Sequence, residues 1–512
     1  MDFGLRHWAR RDRDRVAIAS AGRVLTYGEL DAQANRIARL FRRLGLRRGD
    51  HVAAAILNDP IMYALVWGAY RSGLYFTPIP SVSSAPDVAY VMANATARAV
   101  ILDSRIDGLI DGVRSLVETD IAWFAIGNRP CAIPSLHDEI AAESPDPAPD
   151  ENPGALMLYT SGTTGHPKGV WRPLPSDPEA PPTFAGDLIT TFGFDRETRY
   201  LSTAPLYHAA PLRFSLSVTA AGGTVEMMTK FDAATALDLI EEAEITFSQW
   251  VPTMFGRLLA LPDERRAAHR APRHRVALHA AAPCPVPVKR AMIDWWGPIL
   301  DEYYGGSEGI GMCFLTAEEW LRKPGSVGRC IRGELHILGN DWQELPDGEV
   351  GRIYFSGLPP FEYFEAPEKT RERMSPQGYA TLGDIGRRDA DGYLFLTDRQ
   401  DDMIISGGVN IYPQELEAAI LESPEVEDCA VVGLPDGVYG EKAVAFVVRR
   451  PGRVGDREIV AAIEAHCRER LGRVKRPKEI RLIAELPRTP TGKLLRRVLR
   501  EVTDGPPLEA VT

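Results

Sequence analysis

Residues 159–170 combine hydroxyl side chains, glycines and one lysine in a single short stretch, which reads Tyr-Thr-Ser-Gly-Thr-Thr-Gly-His-Pro-Lys-Gly-Val. Glycine lets backbone N–H groups approach phosphate oxygens closely, and hydroxyls and an ammonium group add further donors. The lysine, Lys168, lies between Pro167 and Gly169, so the spacing differs from that of the common nucleoside-triphosphatase loop. The stretch predicts a polyphosphate-binding loop of another kind, although a Gly/Ser/Thr-rich segment taken alone is more often a flexible connection.

Short apolar runs on both sides of this stretch favour a binding loop over a plain connection. Residues 155–159 have the composition of a strand, and extended character resumes at residues 169–171. We therefore predict a strand, the phosphate loop and a second strand in direct succession. The Pro-rich segment that follows, residues 172–182, is expected to be a solvated connector without a functional role.

The region before the loop alternates between strand and helix patterns. Thr26 and Glu29 have the spacing of a capping box, and apolar residues then recur at helical intervals up to Leu44. Strand-like apolar runs follow at residues 52–57 and 99–102, with a helical stretch between them. Such alternation predicts largely parallel sheets that are covered by helices.

The sequence pattern changes after Gly333. Short alternating runs between residues 335 and 396 are separated by Asp/Gly turns, which predicts an antiparallel, β-rich subdomain. Beyond Asp401 a compact α+β segment follows. We therefore predict an α/β fold, with a large N-terminal domain of largely parallel αβ-layered sheets plus the β-rich subdomain over residues 1–400, and a small α+β C-terminal domain over residues 401–512.

Composition limits the class of protein further. The 512 residues exceed what one hydrophobic core usually supports, and a 45% hydrophobic fraction is typical of a globular protein. A net charge of -11 argues against a nucleic-acid-binding protein, which would carry a basic field. The six cysteines are scattered, the N-terminus lacks an apolar signal segment, and no apolar run has the length of a membrane span. We expect a cytoplasmic protein without an integral membrane segment.

Further motifs follow the loop in an order that is used by one superfamily. They occupy residues 205–208, 303–308, 381–384, 398–402, 406–413 and 487–493. Together with residues 159–170 they resemble the acyl-adenylate-forming superfamily, which contains acyl-CoA synthetases, amino-acid adenylation domains and firefly-type luciferases. The resemblance extends from about Thr26 to Lys493, which is nearly the whole chain.

The resemblance implies an ATP site that is spread over several motifs. The residues that would hold the β- and γ-phosphates are Thr160, Ser161, Gly162, Thr163, Thr164 and Lys168. Tyr304, Gly305 and Ser307 match the adenine motif, because an aromatic ring can stack on a base and glycine permits close backbone approach. Asp384 and Arg399 match residues that contact the ribose and the phosphates.

The resemblance also implies catalytic and metal-binding roles. Lys493 matches a lysine that bridges the substrate carboxylate and the α-phosphate, and His208 matches a histidine between the acyl pocket and the adenylate. Glu308 is expected to act in catalysis by holding Mg²⁺, with Thr160 as a second ligand.

A second half-reaction with coenzyme A is implied as well. Gly407 and Gly408 match a loop that lines the pantetheine tunnel, where two glycines allow the backbone to pass close to a thin ligand. Asp401 matches the hinge about which the small C-terminal domain of the family rotates. We therefore expect that domain to be mobile.

The segments that match the acyl pocket contain Trp250, Ala280 and Ala281, which are apolar or small and bring no obvious charged partner. This predicts a hydrophobic carboxylic acid that is fatty, aromatic or polycyclic. Tyr207-His208 stands where amino-acid adenylation domains have Phe-Asp, whose carboxylate pairs with the substrate ammonium. A buried ammonium without a counter-charge is costly, so an amino-acid substrate is disfavoured.

We therefore predict an acid–thiol ligase, an ATP-dependent acyl-CoA synthetase of fatty-acid or lipid metabolism. It would form acyl-AMP with release of pyrophosphate and then transfer the acyl group to CoA. Three alternatives share the motifs: an adenylating enzyme that loads a separate acyl carrier protein, a luciferase-like oxygenase, and an inactive nucleotide-binding homologue. The expected partners are a carboxylic acid, ATP and CoA. The oligomeric state stays open, with a homodimer as one alternative.

Overall fold

The computed structural model of the protein describes residues 4–117, 120–160, 167–177, 182, 185–406, 409–450, 455–488 and 494–501. Strands and helices alternate through the first part of the chain, antiparallel strands follow, and a smaller α+β part comes last. The predicted fold class, a large N-terminal α/β domain followed by a small α+β domain, is confirmed.

The strands of the described residues are, in chain order, β1 (Val16–Ser20), β2 (Arg23–Thr26), β3 (His51–Ala55), β4 (Tyr75–Pro78), β5 (Ala97–Asp103), β6 (Ala122–Ile126), β7 (Ala155–Leu156), β8 (Leu158–Thr160), β9 (Lys168–Trp171), β10 (Arg199–Ser202), β11 (Thr224–Met227), β12 (Phe247–Trp250), β13 (Val276–His279), β14 (Glu302–Gly305), β15 (Met312–Leu315), β16 (Gly328–Arg332), β17 (Glu334–Leu338), β18 (Gly351–Ser356), β19 (Glu362–Tyr363), β20 (Asp384–Arg388), β21 (Tyr393–Arg399), β22 (Ile404–Ser406), β23 (Val409–Ile411), β24 (Val426–Asp436), β25 (Gly440–Arg449) and β26 (Glu479–Leu482).

The α-helices are α1 (Leu5–Arg11), α2 (Tyr27–Arg43), α3 (Ile61–Arg71), α4 (Ala85–Asn94), α5 (Leu109–Arg114), α6 (Leu136–Ala141), α7 (Gly186–Phe192), α8 (Ala209–Ala220), α9 (Ala233–Glu242), α10 (Pro252–Leu259), α11 (Asp263–Ala268), α12 (Val286–Trp296), α13 (Ala317–Arg322), α14 (Pro367–Arg371), α15 (Pro413–Leu421), α16 (Asp456–Arg470) and α17 (Arg496–Glu501). Two short 3-10 turns lie at Gln400–Asp402 and Arg473–Lys475. Within the described ranges, no helix combines the length and the apolar character that a membrane crossing requires.

Helix α2 shows how the N-terminal sequence produces the predicted pattern. The side chain of Thr26 accepts a hydrogen bond from the backbone N–H of Glu29, whose carboxylate accepts one in return from the N–H of Thr26 at 2.8 Å. The apolar face of the helix is buried against α3. Close contact is possible because α3 carries Gly68 there, where a Cβ atom would lie 2.6 Å from a methyl carbon of Ile37.

The first parallel sheet leads into the phosphate loop. Its strand order is β6-β5-β3-β4-β7, and all of these pairs are parallel. The prediction of one strand over residues 155–159 is wrong in detail, because the structure divides it at Met157. Strand β7 continues the parallel sheet, whereas β8 pairs antiparallel with β9 in a small separate sheet of order β19-β9-β8. The chain thus changes sheets immediately before the loop.

The largest sheet joins parallel and antiparallel strands in the order β17-β18-β20-β21-β16-β15-β14-β13-β12-β10-β11-β1-β2. The strands β17, β18, β20 and β21, which follow Gly333 in this sheet, pair antiparallel, as predicted. They do not form a sheet of their own, because β14 pairs parallel with β13 and antiparallel with β15 and so connects both parts. This continuity places Tyr304, on β14, in the same sheet as Asp384 and Arg399 on β20 and β21.

The C-terminal part forms its own core. Its sheet has the order β23-β22-β25-β24, and β26 pairs parallel with β25. Helices α15 and α16 bury their apolar faces together with this sheet in one hydrophobic cluster. Helix α15 begins at Pro413, strands β24 and β25 follow it, and helix α16 contains Glu458, which confirms the α+β segment predicted beyond Asp401.

Candidate active site

The predicted phosphate loop joins two paired strands. Strand β8 ends at Thr160, strand β9 begins at Lys168, and these two residues are partners in the antiparallel register. Both ends of the loop therefore lie together beyond the C-terminal ends of the first parallel sheet. Four of the predicted phosphate-binding residues lie outside the described residues, namely Ser161, Gly162, Thr163 and Thr164.

Tyr363 connects the lysine of this loop to the predicted metal carboxylate. It lies on β19 and is the register partner of Val170 on β9. Its hydroxyl donates a hydrogen bond to Oε1 of Glu308 at 2.8 Å, and Nζ of Lys168 lies 5.3 Å from the centroid of its ring. Burial, followed by the charge of Glu308, raises the pKa of Tyr363. The hydroxyl therefore stays protonated at neutral pH. We call Lys168, Tyr363 and Glu308 the phosphate cluster.

The loop that carries Glu308 is held through its backbone. Nη2 of Arg172 donates hydrogen bonds to the carbonyl oxygens of Glu308 at 2.6 Å and of Gly309 at 3.3 Å. The hydroxyl oxygen of Ser307 lies 3.4 Å from Oε2 of Glu308. Gly306 leaves room for this carboxylate, because a Cβ atom there would lie 2.8 Å from Oε2. The expectation that residues 172–182 form a solvated connector is therefore wrong for Arg172, which is partly buried against this loop.

Three predicted nucleotide-binding residues form a continuous polar group, which we call the nucleoside cluster. The hydroxyl of Tyr304 donates to Oδ2 of Asp384 at 2.6 Å, and Nε of Arg399 lies 3.2 Å from Oδ1 of the same carboxylate. Burial, followed by the negative charge of Asp384, raises the pKa of Tyr304 well above its ordinary value. Two donors thus orient the carboxylate, and its remaining lone pairs can accept further hydrogen bonds.

His208 occupies the N-cap position of α8, where its side chain makes no capping hydrogen bond, and its ring lies 4.5 Å from that of Tyr207. Ala280 and Ala281 follow β13 at the predicted acyl pocket. Ala281 has a φ of 76°, in the left-handed region that a residue with a Cβ atom rarely adopts. Such strained backbone positions cluster at functional sites.

Trp250, the third residue predicted for the acyl pocket, is packed in the core. Its side chain is 1% exposed, and its indole N–H donates to Oγ of Ser248 at 2.6 Å. Its ring lies 5.4 Å from that of Trp296 and 6.1 Å from that of Phe255. Trp250 therefore presents little surface, and its contact with a substrate stays a prediction.

A buried ion pair lies directly behind the adenine motif. Nζ of Lys289 lies 2.7 Å from Oε2 of Glu302, and Nε2 of His279 lies 3.4 Å from the same oxygen. All three side chains are almost completely buried. Burial, followed by the charge of Lys289, lowers the pKa of His279, so the imidazole is neutral. Because Glu302 is close in sequence to Tyr304 and His279 precedes Ala280, these contacts join the predicted adenine and acyl sites.

The predicted hinge lies in the 3-10 turn Gln400–Asp402, which includes Asp401. The carboxylate of the next residue, Asp402, lies 2.8 Å from Nη2 of Arg500 and 3.5 Å from Nε of Arg496. Both arginines belong to α17. These ion pairs attach the last helix to the turn.

Three further predicted residues, Gly407, Gly408 and Lys493, lie outside the described residues.

Sequence reasoning missed Tyr363, Arg172 and Lys289. Tyr363 follows Phe361 in an alternating pattern, which could have indicated a short strand, but its partners are far away in sequence. Arg172 directly follows the second strand of the phosphate loop, and that position was the available signal. Lys289 lies in helix α12, and its own sequence gives no sign that it is buried. Its counter-charge, Glu302, is on strand β14, outside that helix.

Two family profiles match most of the chain. One described as "AMP-binding enzyme" matches residues 5–360, and one described as "AMP-binding enzyme C-terminal domain" matches residues 415–493. The chain belongs to this family of AMP-binding, adenylate-forming enzymes, as its motifs indicated.

Two proteins that are similar over nearly the full length are acid–CoA ligases. The chain is 32% identical over 481 residues to the long-chain-fatty-acid–CoA ligase FadD13 of Mycobacterium tuberculosis, and the match covers 93% of each chain. It is 33% identical over 498 residues to the sulfoacetate–CoA ligase of Cupriavidus necator, covering 95% of this chain and 94% of that protein. The predicted enzyme class, an AMP-forming acid–CoA ligase, is confirmed.

The fold is also similar to that of a solved relative. The crystal structure of ATP-bound MatB from Rhodopseudomonas palustris superposes with a TM-score of 0.84 and 28% sequence identity. The match covers 96% of this chain and 98% of that one.

Proposed function

We propose that the protein is an ATP-dependent acyl-CoA synthetase that activates a hydrophobic carboxylic acid. The observation that carries this proposal is the phosphate cluster, in which Tyr363 contacts both Lys168 and Glu308. A cation at the end of a Gly/Ser/Thr-rich loop, next to an oriented carboxylate, suits the triphosphate of ATP. The nucleoside cluster supplies oriented polar groups for the ribose.

The first half-reaction joins the acid to the α-phosphorus of ATP. A carboxylate oxygen attacks that phosphorus, the bond to the bridging oxygen of pyrophosphate breaks, and acyl-AMP and pyrophosphate are formed. Two anions meet and negative charge grows on the phosphate oxygens, so positive charge and N–H donors are the main catalysts. The acid is already ionised at neutral pH, and no general base is needed.

The chain's own residues divide this work. In our proposal, Lys168 and residues 160–164 bind the β- and γ-phosphates, and Lys493 bridges the attacking carboxylate and the α-phosphate. Tyr304, with Gly305 and Ser307, receives the adenine, while Asp384 and Arg399 hold the ribose. His208 separates the acyl chain from the adenylate.

Magnesium would be held by Glu308 and Thr160. Proteins usually hold Mg²⁺ through one or two carboxylates plus the substrate phosphates, so the single carboxylate of Glu308 fits this ion. The hydrogen bond from Tyr363 orients that carboxylate. No cluster of three or more His, Cys, Asp or Glu side chains suited to a metal occurs in the described part of the chain. Bound Mg²⁺ supplies charge neutralisation at the phosphates.

The second half-reaction transfers the acyl group to the thiol of CoA. The thiolate attacks the carbonyl carbon of acyl-AMP, the bond to the phosphate oxygen breaks, and the thioester and AMP leave. We propose that rotation about Asp401 withdraws Lys493 and brings Gly407 and Gly408 to the pantetheine. Such a rotation would move the ion pairs that Asp402 makes with Arg496 and Arg500.

We place the reaction in the cytoplasm, where ATP and CoA are available.

The acid–CoA ligases that resemble this chain act on chemically different acids. One relative acts on long-chain fatty acids and another on the small charged sulfoacetate, so similarity does not select the substrate. Ala280 and Ala281 are small, and neither brings a charge to the predicted pocket. This supports a hydrophobic acid that is fatty, aromatic or polycyclic.

A mass-spectrometric screen for CoA thioesters tests the proposal. The panel should contain acetate, sulfoacetate, medium and long fatty acids, aryl acids and steroid acids, with pyrophosphate release measured in parallel. We expect the highest kcat/KM for a hydrophobic acid. A preference for acetate, sulfoacetate or an amino acid would contradict the proposed substrate class. Absence of pyrophosphate release with every acid would contradict the ligase function, and transfer to carrier proteins alone would contradict the choice of CoA.

A further inference from the structure

A cavity of about 640 Å³ opens on the first parallel sheet, away from the phosphate loop. It is open to solvent, and its volume is within the range of small-molecule binding sites. It is lined by residues at the starts of β3, β4 and β5 and by residues at the ends of β9 and β19, including Arg48, His51, Tyr75, Arg98, Trp171 and Phe364. The phosphate loop follows the opposite, C-terminal ends of these parallel strands, so the cavity is separate from the proposed ATP site.

Aromatic rings form one wall of this cavity. The ring of His51 stacks on that of Tyr75, with centroids 4.7 Å apart and an interplanar angle of 19°. Phe364 lies 5.1 Å from His51, and Trp171 lies 6.3 Å from Tyr75. Burial lowers the pKa of His51 to about 4, so this ring is uncharged at neutral pH. Nδ1 of His51 has no hydrogen-bond partner among the described residues.

Two guanidinium groups and one carboxylate border this aromatic wall. Arg98 is 54% exposed, and its Nη1 lies 3.3 Å from Oδ2 of Asp50. Arg48 donates a hydrogen bond to the carbonyl oxygen of Pro175 at 2.5 Å. This partner is neutral, so it does not balance the positive charge of Arg48. Two arginines and one aspartate give the cavity a net charge of one positive unit.

We propose that this cavity is a second ligand-binding site, which takes a planar aromatic carboxylate. His51 and Tyr75 are buried, whereas Trp171 and Phe364 are partly exposed, so a flat ring can pack against these two rings, where aromatic pairs gain stability beyond the area they bury. A carboxylate is the group that guanidinium binds with the best geometry. Its single negative charge matches the net charge of the cavity, whereas a phosphate monoester carries nearly two.

Hydrogen bonds connect the cavity to the phosphate cluster. The hydroxyl of Tyr75 donates to the carbonyl oxygen of Arg172 at 2.7 Å. The guanidinium of Arg172 in turn holds the backbone of Glu308. Strand β9 also runs from Lys168 at one end to Trp171 in the cavity wall at the other. A ligand in the cavity therefore contacts Trp171, on the strand that carries Lys168, and lies next to Tyr75, which is hydrogen-bonded to Arg172. We infer that such a ligand alters nucleotide affinity.

Calorimetric titration of the full-length protein with 2-naphthoate tests the site. We expect saturable binding by the wild type, and roughly tenfold weaker binding by Arg48→Ala and by Arg98→Ala, since each removes a charged contact. Arg47→Ala is the matched control, because Arg47 is an exposed neighbour that does not line the cavity. Absence of saturable binding, or equal binding by all four proteins, would overturn the proposal. Pyrophosphate release with 2-naphthoate and ATP, measured separately, reports on the catalytic site alone.

The inferred coupling is tested by titrating AMP with and without saturating 2-naphthoate. We expect the affinity of the wild type for AMP to change by about fivefold or more, and that of Arg98→Ala to change much less. Naphthoate that binds in the acyl pocket should change the AMP affinity of both proteins equally. The difference between the wild type and Arg98→Ala therefore reports on the cavity. An unchanged AMP affinity, or the same change in both proteins, would contradict the coupling.

Discussion

The hydroxyl of Tyr363 donates a 2.8 Å hydrogen bond to Glu308, while the ammonium of Lys168 lies 5.3 Å from the centre of the same ring. One side chain therefore touches both the cation and the carboxylate that the proposed reaction places around the triphosphate. The three residues come from widely separated parts of the chain. Lys168 and Tyr363 meet on the small sheet of β8, β9 and β19, and Glu308 reaches them from the loop between β14 and β15, an arrangement that no local sequence could fix.

Tyr363→Phe should weaken the use of ATP and Mg²⁺. The change removes the hydrogen bond to Glu308 but keeps the ring beside Lys168, so we expect kcat/KM for ATP to fall by about 10- to 100-fold, or about 1.5–3 kcal/mol. The Mg²⁺ concentration for half-maximal pyrophosphate release should rise. Tyr393→Phe is the control, because Tyr393 donates a similar hydrogen bond to Glu319 elsewhere, at 3.0 Å. Equal losses in both variants would contradict the role of Tyr363.

Lys289→Met should destabilise the N-terminal domain strongly. It leaves the buried carboxylate of Glu302 without its partner at 2.7 Å, which typically costs about 3–5 kcal/mol. The double variant Lys289→Met, Glu302→Gln should recover most of that loss. Urea unfolding followed by circular dichroism measures both. The control is Lys323→Met, whose ion pairs are more exposed and should change stability far less than Lys289→Met.

Asp398→Asn should remove a pH dependence of stability. The Asp398 carboxylate accepts hydrogen bonds from the backbone N–H groups of Arg399 and Gln414, and burial raises its pKa to about 7. The folded state therefore binds a proton between about pH 4 and pH 7 that the unfolded state has released, so this residue's contribution to stability falls as pH rises through that window.

Melting temperatures between pH 4.5 and 8 test this expectation. The Asp398→Asn variant should gain stability relative to the wild type as pH rises, because its amide mimics the protonated carboxyl group. Asp391→Asn changes a carboxylate that is 68% exposed and serves as the control. A constant difference between Asp398→Asn and the wild type across the pH range would contradict the prediction.

Lys493→Ala should abolish adenylation far more than thioester formation. The lysine is proposed to bridge the carboxylate and the α-phosphate only in the first half-reaction. Pyrophosphate release should be nearly lost, whereas a supplied acyl-adenylate should still react with CoA. Arg497→Ala removes a neighbouring charge that is 72% exposed and should leave both steps intact. Retained pyrophosphate release in Lys493→Ala would refute the assignment.

Asp401→Pro should have the opposite effect. Proline fixes φ and would block rotation about the hinge, so acyl-AMP formation should persist while thioester formation fails. Asp401→Ala removes the carboxylate but leaves the backbone free, and it should retain both half-reactions. Single-turnover measurements of each step provide the test. Equal loss of both steps in the proline variant would rule out the hinge.

Local patterns were sufficient wherever one segment decides the outcome. The capping box of Thr26 and Glu29 predicted the start of α2, because a cap depends on residues three positions apart. The predicted strand over residues 155–159 failed at Met157, because its second half has a partner, β9, that its own sequence does not indicate. In the same way, the antiparallel strands were predicted, but their continuity with the parallel strands through β14 was not.

The sequence by itself determined the family, the order of the motifs and the identity of the residues proposed for catalysis, because motif spacing is a property of the linear chain. Only the tertiary structure brought Tyr363 between Lys168 and Glu308, and Arg172 against the Glu308 backbone. Tertiary packing also decided that Lys289 is buried against Glu302. Such contacts depend on which strands become neighbours, and that choice is made by the whole core.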